Sequence, residues 1–382
     1  MIYFDNSATT QIDPTVLESY QIVSQKIWGN PSSLHKLGET AFNLLEQARQ
    51  QIADLMKVNS DEIYFTSGGT EGDNWAVKGT AIEKQNYGKH IISTEIEHPA
   101  VLNSLKQLEK MGYEVTYLPV NEAGFVQVAD VEKALRPDTI LVSVMAVNNE
   151  IGSIQPIREI GDILQAYPKV HFHVDAVQAI GKGLAAVLQH ERIDILTFSG
   201  HKFHAPRGSG FIYLKKGRKL APLLSGGGQE KNYRSGTEHV AADVSLAKAL
   251  RIILDQEQSK VEQQQVIKEK IYQHLKNKSK VTIFSDITSN YASHILCFAI
   301  QGVRGETIVH AFENHDIYIS TTSACSSKKN IAAGTLKAMG VPEAIATSAV
   351  RVSLDEHNTL QEAEVFIDVF DELYEQFKKI NS

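Results

Sequence analysis

The chain has 382 residues, of which 42% are hydrophobic and 22% charged, and a formal net charge of −7. This suits a globular protein with a sizeable core and more than one domain, and the acidic balance argues against non-specific nucleic-acid binding. No window is long and apolar enough for a bilayer, and the N-terminal stretch MIYFDNSATTQIDPTVLESY has no basic region before an apolar run, so neither a membrane partner nor a signal peptide is expected. The two cysteines, Cys297 and Cys325, are too few for a disulfide framework and predict a reducing cytoplasm.

From about residue 60 the pattern alternates. EIYFTS (62–67) reads as a strand, 70–85 as an amphipathic helix, HIISTEI (90–96) as a strand and 98–111 as a helix. EVTYLPV, a helix near 127–135, TILVSVMAV, a helix at 154–167, HFHVDAV and IDILTFS follow. Strands alternating with helices predict a largely parallel sheet covered on both faces, with ligands beyond the carboxyl ends of its strands. Residues 196–214, LTFSGHKFHAPRGSGFIYL, read as a hairpin with Ser199, His201, Lys202 and His204 at its turn. Residues 240–280 look helical, with a solvated later part. VTIFSDI, HILCFAI and IYISTTSA read as strands of a smaller α/β unit closed by a helix at 359–379.

The strand ends carry the chemistry. Ser67-Gly68-Gly69-Thr70 lies between a strand and a helix, where backbone N–H groups can hold an anion; taken alone, a plain turn capped by Thr70 reads as well. Asp175 ends an apolar run, so its carboxylate needs a cation, either an ordinary salt-bridge partner or a protonated pyridine nitrogen. Lys202 follows another apolar strand, where a lysine either pairs its charge or becomes a nucleophilic amine. Phosphate turn, acid and lysine together match pyridoxal phosphate, with the lysine holding its aldehyde as a Schiff base. His98, before Pro99, can stack on a flat ring and move protons. Cys325, in SACSSKKN, reads as an exposed, mobile-loop thiol beside Lys328 and Lys329, which favour the thiolate; Cys297 reads as an inert core residue.

These residues closely resemble a known family. YFDNSATT (3–10), GNPSSLH (29–35), TSGGTEGDN (66–74), EIEHPAV (95–101), VNNEIG (147–152), HVDAVQ (173–178), SGHKFHAPRG (199–208), GGGQE…RSGTE (226–238), GVRGE (302–306), SAC (323–325) and VRVSL (350–354) occur in order along the chain. The chain resembles the NifS/IscS-type cysteine desulfurases, class-V aminotransferases of the fold type I pyridoxal-phosphate enzymes. The resemblance implies an α/β fold, with a mainly parallel seven-stranded sheet flanked by helices and a smaller α/β domain. The large domain would span 14–255 and the small one 1–13 with 256–382.

It also implies roles. Lys202 would carry the cofactor, with His98 stacked on its ring and active in proton transfer. Asp175 would pair with the ring nitrogen and Gln178 with the ring hydroxyl. Gly69, Thr70, Ser199 and His201 would hold the phosphate, joined by Thr237 from a second copy in a homodimer. Asn149 and Arg351 would bind the substrate carboxylate. Cys325 would take sulfur from L-cysteine as a persulfide, release alanine, and pass the sulfur to an acceptor protein, an iron–sulfur scaffold or a tRNA-thiolation enzyme. The chain departs from many relatives in the residues after Cys325 and at His204-Ala205, where many have Tyr-Gly; this bears on the acceptor rather than on the reaction. Alternative reactions on the same fold are selenocysteine lysis and transamination. A nicotinamide dehydrogenase is disfavoured, because no GxGxxG follows the first strand.

Overall fold

A computed structural model describes residues 1–322 and 334–380; Cys325 therefore lies outside the described residues. The strands, in chain order, are β1 (Ile2–Tyr3), β2 (Ile63–Thr66), β3 (His90–Thr94), β4 (Glu114–Leu118), β5 (Thr139–Ser143), β6 (His171–Asp175), β7 (Ile195–Ser199), β8 (Gly210–Leu214), β9 (Val281–Ile283), β10 (Ile295–Ile300), β11 (Ile317–Tyr318), β12 (Ser320–Thr321) and β13 (Ala349–Ser353). Seven of them form one sheet in the order β2-β8-β7-β6-β5-β3-β4. Only β8 runs against its neighbours there, because it is the return strand of the β7–β8 hairpin. The sheet is thus the mainly parallel one expected. β2, β3, β5, β6 and β7 are buried along their whole length, which requires cover on both faces.

The parallel strands end on one edge. The segments after β2, β3, β5, β6 and β7 therefore meet, and they carry Gly68-Gly69, His98, Asn149, Asp175 and Lys202. Gly210 in β8 faces Gly68: a Cβ there would lie 2.6 Å from the Gly68 Cα, so the hairpin can approach the turn only as glycine.

The region read as one helix over 70–85 is divided. α-Helical turns at Gly69–Asn74 and Thr80–Glu83 flank a π-helical stretch at Trp75–Gly79. Trp75 within it is fully buried and donates from Nε1 to Ala221 O at 3.0 Å. The helical region 240–280 is likewise two helices, Val240–Leu254 and Glu257–Lys276, parted at Gln256 with φ 53°. Helices at Pro14–Lys26 and Lys36–Met56 come from a region with no sequence assignment; Asp13 and His35 cap them with their side chains.

The remaining strands form a four-stranded antiparallel sheet, β12-β13-β10-β9, and the parallel pair β1–β11. Their core is aromatic: Phe4, Phe298, Phe312, Phe366 and Phe370 are fully buried together. Phe312 and Phe366 stack with centroids 4.9 Å apart. Cys297 is fully buried on β10 opposite Arg351, and burial holds its thiol protonated.

Candidate active site

A cavity of ≈ 940 Å³ opens at the carboxyl edge of the large sheet. Among the described residues its walls include Gly69, Thr70, His98, Asn149, Asp175, Gln178, Ser199, His201, Lys202 and Arg351. Of the site residues expected from sequence, two are not on it. Cys325 is outside the described residues. Thr237 is exposed and does not line this cavity.

Lys202 lies half-buried in the short helical turn after β7. Its Nζ donates to Ser7 O at 2.5 Å and Ala8 O at 2.8 Å. The N-terminal segment thus supplies the acceptors that an amine in apolar surroundings needs. Residues 7–10 are packed onto the lysine turn: Thr10 N donates to His201 O at 2.9 Å, and Ser7 O also accepts from Gln178 Nε2 at 3.0 Å. Gln178 Oε1 lies 3.3 Å from His294 Nε2.

Asp175 is buried at the end of β6, and its Oδ1 accepts from Val177 N at 2.9 Å. It has no salt-bridge partner among the described residues. Burial raises its pKa, and His98 and Lys202 oppose that rise. His98 caps the helix Pro99–Lys110 with its own ring, Nδ1 accepting from Ala100 N at 3.1 Å. By inference from that bond, the neutral ring carries its proton on Nε2. Burial lowers the His98 pKa, as does Lys202, while Asp175 raises it. Burial also pushes His201 down to about 4, helped by Lys202 and Arg207, so its ring is neutral at neutral pH. His201 Nδ1 lies 3.2 Å from Thr9 Oγ1.

The far wall comes from the second sheet. Arg351, buried on β13, donates from Nη1 to Asn149 O at 2.7 Å, and from Nη2 to Asp5 Oδ1 and Ser320 Oγ, both at 2.9 Å. Its Nε is buried without a partner among the described residues.

Sequence reading gave no role to several wall residues. Ser7 and Ala8 act through backbone carbonyls, which leave no side-chain signal. Glu97 is buried, with Oε1 accepting from Thr94 Oγ1 and Met145 N, and burial raises its pKa to about 8. Burial raises Glu150 to about 7 against the pull of Thr335 and Arg351. Both glutamates were visible as strand-end polar residues, and only burial separates them from solvated ones.

The donor set fits pyridoxal phosphate. Gly68 has φ 142°, and a Cβ on Gly69 would press to 2.9 Å from Val177 Cγ2 and 3.4 Å from Ser199 Cβ, so side chains are excluded where an anion needs backbone N–H groups. Asp175 is a buried carboxylate without an ion pair among the described residues, and it lines the cavity, where a pyridinium would supply a cation.

The class-V aminotransferase family model matches residues 2–366. A NifS/IcsS protein homolog of Lactobacillus delbrueckii subsp. bulgaricus is 58% identical over all of this chain and 99% of its own. A cysteine desulfurase IscS of Dictyoglomus turgidum is 37% identical, covering 100% of this chain and 96% of its own. Among solved structures, a NifS-like protein superposes with a TM-score of 0.91 at 36% identity, covering 97% of this chain and 98% of its own. The chain belongs to the class-V aminotransferase family, whose cofactor is pyridoxal 5′-phosphate.

Proposed function

We propose that this protein is a pyridoxal-phosphate-dependent cysteine desulfurase that converts L-cysteine to L-alanine and carries the sulfur as a persulfide on Cys325. The observation that carries this reading is the convergence of Lys202, Asp175, His98 and Arg351 on one cavity, in a chain whose relatives bear that activity. When bound, pyridoxal phosphate supplies the electron sink for the substrate's α-carbon chemistry.

The chain's own residues do the rest. Lys202 holds the cofactor, and Gly69, Thr70, Ser199 and His201 take its phosphate. A neutral His201 donates a hydrogen bond without adding charge beside Lys202. Asp175 remains the anion that holds the ring nitrogen's proton, and Gln178 reaches the ring hydroxyl. His98 stacks on the ring and presents an Nε2–H donor; protonation at Nδ1 breaks its helix cap, so proton uptake is coupled to that cap. Arg351, with Asn149, takes the substrate carboxylate, and the Arg351 Nε, without a partner among the described residues, is a donor in reserve for it. Sulfur transfer balances without an external oxidant. The Cys325 sulfur forms a bond to the substrate sulfur, the substrate C–S bond breaks, and the carbon gains a proton to become alanine.

The enzyme works as a cytoplasmic homodimer. Thr237, exposed and not part of its own chain's cavity wall, serves the partner's phosphate site. Trp28, Leu34, Leu37 and Phe42 are exposed on and beside the N-terminal helices, an apolar surface suited to a second copy. Among the described residues no helix is long and apolar enough to cross a membrane. The chain divides into a large domain, 14–255, and a small one, 1–13 with 256–382; the aromatic cluster built on Phe4 and residues 267–377 falls wholly within the small one, while Ala292 and Ile295 pack into the core of the large one and join the two. The sulfur acceptor is a second protein, an iron–sulfur scaffold or a tRNA-thiolating enzyme.

The test is alanine release from L-cysteine by the loaded enzyme and by Cys325→Ala. Alanine and sulfide from the unmodified enzyme alone, with one extra sulfur on Cys325 by mass spectrometry, support the reading. Keto-acid release, or undiminished turnover in Cys325→Ala, refutes it.

A further inference from the structure

His204 belongs to the lysine turn, yet the proposed reaction gives it no task. It is buried, and its φ of 65° is in the left-handed region, where a non-glycine residue is strained. The N-terminal segment holds it there. His204 N donates to Thr10 Oγ1 at 2.8 Å, its carbonyl accepts from Asp13 N at 3.1 Å, and Nδ1 lies 2.7 Å from Gln11 O. Nδ1 must therefore carry a proton, because a carbonyl can only accept. The other nitrogen, Nε2, points at Glu356 Oε2, 3.3 Å away.

We propose that His204, Glu356 and His357 form a binding site for a divalent transition-metal cation of the zinc type, joining the lysine turn to the loop after β13. With Nδ1 protonated, a neutral ring aims a lone pair from Nε2 at a carboxylate oxygen, and something positive must lie between them. A proton satisfies that pair but gives nothing to His357, whose ring centroid is 5.3 Å from that of His204. One ligand atom from each of the three residues lies within 4.8 Å of the others. Ligands about 2.0–2.2 Å from a tetrahedral zinc are roughly 3.3–3.5 Å apart, the spacing of the His204–Glu356 pair. His357 is exposed, so its ring can rotate to close the remaining gap, and it offers the cation a way in from solvent.

The surroundings fit the same reading. Metal-ligating imidazoles are commonly oriented by a second hydrogen bond to a backbone carbonyl, the part Gln11 O plays here. Asp355 Oδ2, 4.0 Å from His204 Nε2, is placed to take a fourth position, while its Oδ1 accepts from His357 N at 2.9 Å. Two imidazoles and a carboxylate favour zinc or its first-row neighbours over calcium or magnesium. The site uses none of the residues assigned to cysteine chemistry and is independent of that reading. It tethers the turn bearing Lys202 to the strand bearing Arg351.

The test uses untagged holoenzyme and its His357→Ala, Glu356→Gln and Cys325→Ser forms. Each is freed of metal with a chelator, then titrated with Co²⁺ or Zn²⁺ and followed by visible absorption, elemental analysis and melting temperature. Expected are one cation per chain in the unmodified and Cys325→Ser proteins, and a melting temperature that rises with Zn²⁺. In His357→Ala, a surface change, and in Glu356→Gln, affinity falls by at least the roughly 10–100-fold that losing even an outer-sphere partner costs. The proposal is overturned if the unmodified protein retains no cation, if His357→Ala binds undiminished, or if binding vanishes in Cys325→Ser and so belongs to the catalytic thiol.

Discussion

Replacing Glu230 by Leu tests how the loop carrying Thr237 is held. Glu230 and Arg49 form a bidentate pair at 2.8 and 2.7 Å, with side chains 3% and 4% exposed. Glu230 Oε2 also accepts from Phe65 N at 2.9 Å, and Arg49 donates to Ile63 O at 2.9 Å, so the pair fastens the loop to β2. Residues 230–232 all have positive φ, a strained turn that the buried carboxylate anchors. Removing one partner of a buried pair leaves an uncompensated charge and costs about 3–5 kcal/mol. Glu46, 2.9 Å from Arg49 Nε, is partly exposed and offsets some of that, so the lower half of the range is expected. At about 2.1 cal/mol/K per residue, unfolding 382 residues carries roughly 0.8 kcal/mol/K, so the melting temperature should fall by about 4–5 °C. Scanning calorimetry measures it, alongside Arg49→Met and the double variant. The double variant, with both charges replaced by apolar groups, should lose less than either single change. A single-variant shift under about 1 °C, or strictly additive losses, refutes the reasoning.

Two further outcomes follow from the site and its frame. Arg351→Lys cannot keep separate contacts to Asn149 O, Asp5 and Ser320 while also reaching a substrate; steady-state kinetics should show KM for L-cysteine up about 10–100-fold with a smaller change in kcat. His173 is fully buried between Ser143 and Thr197, and burial lowers its pKa to about 3, below that of the unfolded chain near 6.5. The unfolded state then binds the extra proton, so stability is lost as pH falls through the unfolded value, by about 1.4 kcal/mol per pH unit down to the folded one. Urea titrations at pH 7 and 5 should show about 2 kcal/mol less of this loss in His173→Gln, and parallel losses in both proteins would contradict it.

The large sheet was legible because its strands are buried on both faces and read as short apolar runs separated by helical periods. The strand-end rule then collected most of the pocket wall, since Asp175, Ser199 and Lys202 each end or directly follow such a run. Periodicity failed where the backbone departs from its period. The π turn at Trp75–Gly79 keeps a helix-like pattern, and Gln256 in left-handed geometry parts two helices without a glycine or proline to mark it. The β7–β8 hairpin was legible, but not that β8 pairs with β2 on its other side, because strand order depends on tertiary pairing.

The hidden part of the site is the part made of backbone. Lys202 is held by the carbonyls of Ser7 and Ala8, and Arg351 by that of Asn149. Any side chain could have stood at those acceptors. What the sequence does specify is the route that brings them in: β1 pairs with β11, and Phe4 sits in the aromatic core of the smaller sheet. Asn6 then bonds Ser353 O, two residues beyond Arg351 on the same strand. The first ten residues are thus anchored to the small sheet at one end and to the lysine turn, through Thr10, at the other. The cavity's lysine and its arginine are set against each other by this strap. A change at Phe4 or Asn6, remote from the reacting atoms, should therefore disturb cofactor and substrate binding together, whereas a change at Gln178 should affect the cofactor alone.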